Sequence, residues 1–267
     1  MQASSPRPFS ALTQRRRLAY CLAALAALAA GGTAQAEQAL VAVAANFAEV
    51  ADRMRPAFEA ATGHQLVLTT GATGKLYAQI KAGAPFQALL SADAATPQRL
   101  VAEGAAVPGS QFTYAVGRLA LWSPRPGVVS AEDGTATLRA GAFRFIAIAN
   151  PALAPYGVAA REVMLASGTW PALQPKLVMG ENIGQAHAMV ASGAADLGFV
   201  ALSALRSERA PVGGSAWEVP ARMHAPLQQD AVLLGPGRDS AAARAFLEFL
   251  RSAPTRALIA SYGYGAE

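Results

Sequence analysis

The chain has 267 residues, 22 Lys plus Arg against 17 Asp plus Glu, and a single cysteine, Cys21. Four of the basic residues (Arg7, Arg15, Arg16, Arg17) fall in the first 17 positions; without them the balance is 18 to 17, so the net charge is no argument for a nucleic-acid partner. Beyond Cys21 there is no thiol, which excludes disulfides, Cys-ligated metals and thiol catalysis from the rest of the chain.

After the arginines comes an apolar run, Leu18 to Ala30, and then Gly31-Gly32-Thr33-Ala34-Gln35-Ala36. A basic segment, a short apolar segment and a small-x-small site make a secretory leader, with the cut expected after Ala36. The run is about 13 residues against the roughly 20 that span a bilayer, so it is too short for an anchor. Arg15 to Arg17 fit a twin-arginine signal and a generic basic leader alike. Leu18-Ala19-Tyr20-Cys21 makes a poor lipoprotein box, because Tyr20 is bulky and the apolar run follows the cysteine. The remaining 231 residues hold one large domain or two small ones.

Strand and helix patterns alternate from there on. Leu40 to Ala44 reads as a buried strand, Asn46 to Ala61 as a helix stopped by Gly63, and His64 to Thr69 as a strand. Thr73 to Ala82 reads as a helix stopped by Gly83, Gln87 to Ser91 as a strand, and Pro97 to Glu103 as a helix ended by Gly104. Thr113 to Trp122 then reads as one long strand interrupted only by Gly117. A second series follows: strand 145–148, helix 155–167, strand 176–179, helix 183–192, strand 197–200 and a helix from about 202 to 207. The chain closes with strand 229–234, helix 240–252 and a helix from about 255 to 262. Gly213-Gly214 reads as a surface loop. Two α/β series predict two lobes, each a mostly parallel sheet flanked by helices. We expect lobe I over 37–117 and 228–267, lobe II over 118–227, and hinge strands near 113–122 and 227–232, with the last helices returning to lobe I.

Four helices open alike. Asn46 precedes Glu49 as a capping-box variant, Thr73 is the expected cap after Gly71-Ala72, Pro155 takes the first helical position beside Tyr156-Gly157, and Asn182 caps the helix beginning at Ile183. Helix starts carry unpaired N–H groups and the positive end of the dipole, and in such sheets they gather at the strands' carboxyl edge. Converging on a cleft, they would hold an anion without a charged side chain. Most N-caps only finish a helix. Gly74 and Gly157, poor helix residues in a first turn, fit either a tight turn or a close approach of backbone to ligand.

The order of motifs carries a resemblance. Val43-Ala44-Ala45-Asn46-Phe47, Gly71-Ala72-Thr73-Gly74-Lys75-Leu76-Tyr77-Ala78-Gln79-Ile80, Gly83-Ala84-Pro85-Phe86 leading to Ser91-Ala92-Asp93, Asn150-Pro151 with Pro155-Tyr156-Gly157, and Tyr262-Gly263 together resemble the periplasmic molybdate-binding proteins over nearly all of the exported chain. The resemblance implies a type II periplasmic-binding-protein fold, molybdate or tungstate as ligand, no cofactor, an ABC importer as partner and a soluble monomer in the periplasm. It implies oxyanion ligands at Ala45, Asn46, Thr73, Tyr156 and Ile183, reaching the metal only through the oxyanion's oxygens. Thr73 stands where the family has Ser, and Ile183 where it has Val and offers a backbone N–H. Ala201 stands where one branch has a Tyr ligand, a phenol Tyr156 would replace from the opposite loop. Gln87 replaces a common Asp.

Other readings stay open. Tyr156 by itself reads as a half-buried aromatic, Lys75 as solvated, and Asp93 as a helix cap or loop bond. His64, His187 and His224 lack metal-ligand spacing. Sulfate, phosphate, a ferric-anion complex or a small organic acid are alternative ligands, though no Arg stands at the matched positions. An exported hydrolase is a third class, but Gly-x-Ser-x-Gly, His-Glu-x-x-His and Walker patterns are absent.

Overall fold

The computed structural model describes residues 36–207 and 213–265. The leader, apart from Ala36, lies outside the described residues. No helix among them is long and apolar enough to cross a membrane.

The first half runs β1 (Gln38–Ala44), a 3-10 turn (Ala45–Phe47), α1 (Ala48–Thr62), β2 (Gln65–Gly71), α2 (Thr73–Lys81), β3 (Ala88–Leu90), α3 (Ala95–Ala102) and β4 (Phe112–Gly117). The second runs β5 (Leu119–Ser123), α4 (Gly134–Ala140), β6 (Ile146–Ala149), α5 (Pro155–Ala166), α6 (Trp170–Leu173), β7 (Leu177–Gly180), α7 (Ile183–Ala191), β8 (Leu197–Ala201), α8 (Leu202–Leu205) and β9 (Ser215–Glu218). β10 (Leu227–Leu233), α9 (Ala241–Arg251) and α10 (Ala253–Ser261) finish the chain.

Two five-stranded sheets result, ordered β2-β1-β3-β10-β4 and β7-β6-β8-β5-β9. In each, three strands pair in parallel and the fourth in the row runs against its neighbours on both sides. The sheets are therefore mixed, with four strands of each sharing a direction. The chain passes between them at Arg118 and again between β9 and β10. The long strand expected over Thr113 to Trp122 is in fact two, one per sheet. Gly117 ends the first, where a side chain would strike the Tyr156 hydroxyl at 2.3 Å and the Gln229 amide at 2.4 Å.

The central strands are continuous apolar runs because both faces are covered. Val41, Ala42 and Val43 are fully buried, as are Ile146 to Ala149. In the first lobe Phe58 meets Phe246 and Phe249 edge-on, with ring centres 5.5 and 5.6 Å apart. Helix α9 thus packs on α1. Fully burying a large apolar side chain such as Val41, Ile146 or Phe58 contributes about 1.5–3 kcal/mol. Gly63 and Gly104 stop their helices with φ of 72°, as expected of a left-handed end that only glycine adopts without strain.

The sequence reading misses α4, the single turn α6 and β9. α4 is short, and its start is marked by Asp133, whose carboxylate accepts the Thr135 N–H at 3.0 Å. β9 is an edge strand beside β5, following the positive-φ pair Gly213 and Gly214.

Candidate anion-binding site

All five sequence-predicted site residues come together. A pocket at the carboxyl ends of β1, β2 and β6 is lined by Ala44, Ala45, Asn46, Gly71, Ala72, Thr73, Ala92, Ala154, Pro155, Tyr156, Asn182 and Ile183. The starts of the 3-10 turn, α2, α5 and α7 meet there, two from each lobe. No charged side chain lines it. The cavity is about 10 Å³, close to the least that holds one water. A wider cleft of about 330 Å³ adjoins it, sharing Thr73, Ala92, Ala154 and Pro155 and carrying Asp93 and Glu162 on its walls.

Two of the expected caps are corrected. Asn46 makes no capping bond: it lies in the 3-10 turn, and the residue before α1 is Phe47. Its amide nitrogen instead donates to Gln229 Oε1 at 2.9 Å and to the Tyr264 hydroxyl at 3.2 Å. Thr73 is the first residue of α2 rather than its cap. Its Oγ1 accepts the Ala92 N–H at 3.2 Å, which leaves the hydroxyl proton for the pocket. Pro155 does take the first position of α5. Asn182 caps α7 as expected, its Oδ1 accepting the Gln185 N–H at 3.0 Å.

Gly74 and Gly157 both allow close packing within the protein. The Gly74 N–H donates to the Leu153 carbonyl of the facing lobe at 2.9 Å. A Cβ on Gly157 would lie 2.3 Å from the Ala149 carbonyl oxygen, so glycine lets α5 sit on the end of β6. Lys75 bridges to Glu181 across the lobes at 2.9 Å, outside the pocket lining. Asp93 accepts the Thr96 N–H at 2.8 Å, the loop bond expected of it. Gln87 Oε1 accepts the Leu40 N–H at 3.0 Å, and Ala201 is buried outside the lining. His187 packs on Trp122 with ring centres 5.1 Å apart, and no cluster fit to hold a metal ion occurs among the described residues.

Tyr156 is 1% exposed, the largest fully buried side chain in the molecule. Its oxygen accepts from Gln229 Nε2 at 3.1 Å. Burial, and then the neighbouring Tyr264, push this phenol well above its ordinary pKa, against the lowering effect of the Gln229 bond. Burial likewise pushes Tyr264 up to about 12 and Tyr114 well above its usual value. All three stay protonated near neutral pH and are donors, not acceptors of charge.

Sequence reasoning missed Gln229, Tyr114 and Tyr264. Gln229 is fully buried in β10, beside a register shift that also turns Asp230 inward. The signal was present: Gln228-Gln229-Asp230 is a polar run inside an otherwise apolar strand.

Two lobes of matching strand order, crossed twice by the chain and meeting over a pocket of helix starts, define a two-lobed binding protein. The chain belongs to the bacterial extracellular solute-binding protein family, whose model matches residues 39–265. It is 47% identical over 234 residues to the molybdate-binding protein ModA of Azotobacter vinelandii, covering 88% of this chain and 92% of that one. It is also 47% identical to ModA of Rhodobacter capsulatus, covering 88% and 90%. The solved periplasmic molybdate-binding protein of Azotobacter vinelandii superposes with a TM-score of 0.81 at 39% identity, over 85% of this chain and 99% of that one.

Proposed function

We propose that this protein captures molybdate, and its congener tungstate, between its lobes in the periplasm and delivers it to an ABC importer. It acts as a soluble monomer, by binding and release and not by catalysis. The observation that carries this reading is the pocket itself: four element starts and two hydroxyls converge on one small space without a charged group. The relatives at 47% identity are named for molybdate, which fits that chemistry.

In this reading Ala45, Asn46 and Ile183 offer backbone N–H groups, and Thr73 and Tyr156 offer hydroxyl protons. Both amide hydrogens of Asn46 are used within the protein, so its share is the backbone. N–H groups in a first helical turn have no intrahelical partner and suit an anion. Molybdate is an unprotonated dianion at neutral pH, and a cage of donors satisfies all its oxygens. Phosphate usually carries a proton, and a donor-only site leaves that proton unpaired at a cost of about 1–3 kcal/mol. Sulfate lacks the proton, so pocket size separates it from molybdate.

We place the hinge at the two crossings, with lobe I over 37–117 and 228–267 and lobe II over 118–227, after a leader ending at Ala36. The ligand enters with the lobes parted at contacts such as Gly74 with Leu153; these contacts re-form on closing, and the closed, loaded form is what the importer reads.

The test is thermal unfolding of the purified protein with molybdate, tungstate, sulfate and phosphate. At 100 times its dissociation constant a ligand stabilises by about 2.7 kcal/mol, which raises Tm by roughly 5–11 °C for a chain of this size. A shift with molybdate and tungstate is expected. A shift with sulfate or phosphate alone would reassign the ligand, and no shift with any of the four would defeat the anion site.

A further inference from the structure

Gln229 lies at the meeting of the lobes and touches no solvent. One end faces Asn46 and Tyr114 of the first lobe, the other the Tyr156 phenol of the second. Which end is the oxygen follows from counting protons. The Tyr264 hydroxyl lies 2.8 Å from the Asn46 backbone carbonyl, which can only accept, and 3.2 Å from Ser203 Oγ, so the phenol proton goes to this side. The Tyr264 oxygen must then accept from the Asn46 side chain 3.2 Å away, which makes that atom Nδ2. The same Nδ2 lies 2.9 Å from Gln229, whose near atom is therefore Oε1. Tyr114 does not decide the orientation: its single hydroxyl proton is shared between that oxygen at 3.1 Å and the Ser91 carbonyl at 2.9 Å. The far end of Gln229 is then Nε2, donating to the Tyr156 oxygen at 3.1 Å. Tyr156 keeps its own proton, which the Gln229 bond leaves free for an acceptor in the pocket it lines.

We infer that Gln229 is the positioning residue that fixes the polarity of the site. It makes Tyr156 an obligate donor and so sets the preference for an oxyanion without a proton over one that carries a proton. This rests on the pocket being an anion site, and deepens that reading. Gln229 touches no ligand in this scheme; it acts through Tyr156. A buried amide suits the task because it presents an acceptor and a donor at opposite ends and carries no charge. The bonds from the Asn46 amide through Gln229 to Tyr156 run in one sense, so each polarises the next.

The experiment compares Gln229→Glu and Gln229→Met with the wild type, by calorimetric titration with molybdate, sulfate and inorganic phosphate across about pH 5–8. In Gln229→Glu the introduced carboxylate accepts the Tyr156 proton and turns it away from the pocket. Molybdate affinity is expected to fall at least about tenfold near pH 8, the lower end for losing a hydrogen bond to a charged partner. It should recover as the introduced carboxyl protonates at lower pH, while the wild type stays flat. The phosphate-to-molybdate affinity ratio should rise in this variant. Gln229→Met should lose affinity with neither the pH recovery nor the gain in ratio. Molybdate affinity within about twofold of wild type in Gln229→Glu, or equal losses in both variants at every pH, would overturn the inference; the second result would mean Gln229 only supports the fold. A wild type that ignores molybdate but binds sulfate or phosphate defeats the ligand reading, and the variants are then judged by the same pH recovery on the anion that binds. A wild type that binds none of these anions overturns the inference together with the site.

Discussion

Replacing Gly74 by Ala separates the stability of the fold from the closing of the lobes. Gly74 is the second residue of α2, with its N–H on the Leu153 carbonyl of the facing lobe at 2.9 Å. An added Cβ would stand 3.1 Å from that oxygen and 3.3 Å from the Leu153 Cα. Both are tighter than ordinary contact, and both partners are backbone, so the facing loop must yield by a few tenths of an ångström. Alanine also favours the helix over glycine, by up to about 1 kcal/mol. That gain is present whether the lobes are open or closed, so it cancels from the affinity. What remains in the affinity is the loss of the interlobe hydrogen bond, about 0.5–1.5 kcal/mol, or roughly a two- to tenfold weaker Kd for molybdate. The ligand-free protein should melt no lower than wild type, and up to about 4 °C higher. Calorimetric titration and ligand-free melting curves measure the two effects separately. Unchanged or tighter binding would refute the claim that this contact belongs to the closed, loaded state, and a lower ligand-free Tm would refute the helix argument.

Two further outcomes follow from the tyrosines. Tyr156→Phe removes the hydroxyl proposed to donate to the ligand and strands Gln229 Nε2; losing a hydrogen bond to a charged partner costs about 1.5–3 kcal/mol, so molybdate should bind roughly 10- to 150-fold more weakly, and an affinity within about twofold of wild type would remove Tyr156 from the site. Tyr264 is held at about 12 by burial, above the unfolded phenol near 10, so its contribution is complete below pH 10 and is lost as pH rises from 10 to 12. That loss is on the order of 3 kcal/mol by pH 12, and urea denaturation that shows equal stability at about pH 9 and 12 would count against the buried, neutral phenol.

The sequence by itself determined the alternation of elements, the two lobes and the identity of the loops that meet. Those features are local: apolar runs bounded by Gly63, Gly83 and Gly104, and Pro155 and Asn182 at helix starts, are read from neighbours within a few positions. The five expected site residues lie together because helix starts in such sheets collect at one edge of the strands, a consequence of chain direction alone. The tertiary structure alone decided how each is used. Asn46 and Thr73 looked like caps, but Asn46 spends its amide on Gln229 and Tyr264, which stand 183 and 218 positions away. Gly117 showed as an interruption, but not that the strand divides there between two sheets, nor that the Tyr156 phenol and the Gln229 amide, delivered by two other elements, exclude a side chain at 117. A hydrogen bond between distant residues leaves no periodic trace in the sequence, since only folding brings its donor and acceptor within 3 Å. That is why the elements were legible in order while the direction of the protons around the pocket was not.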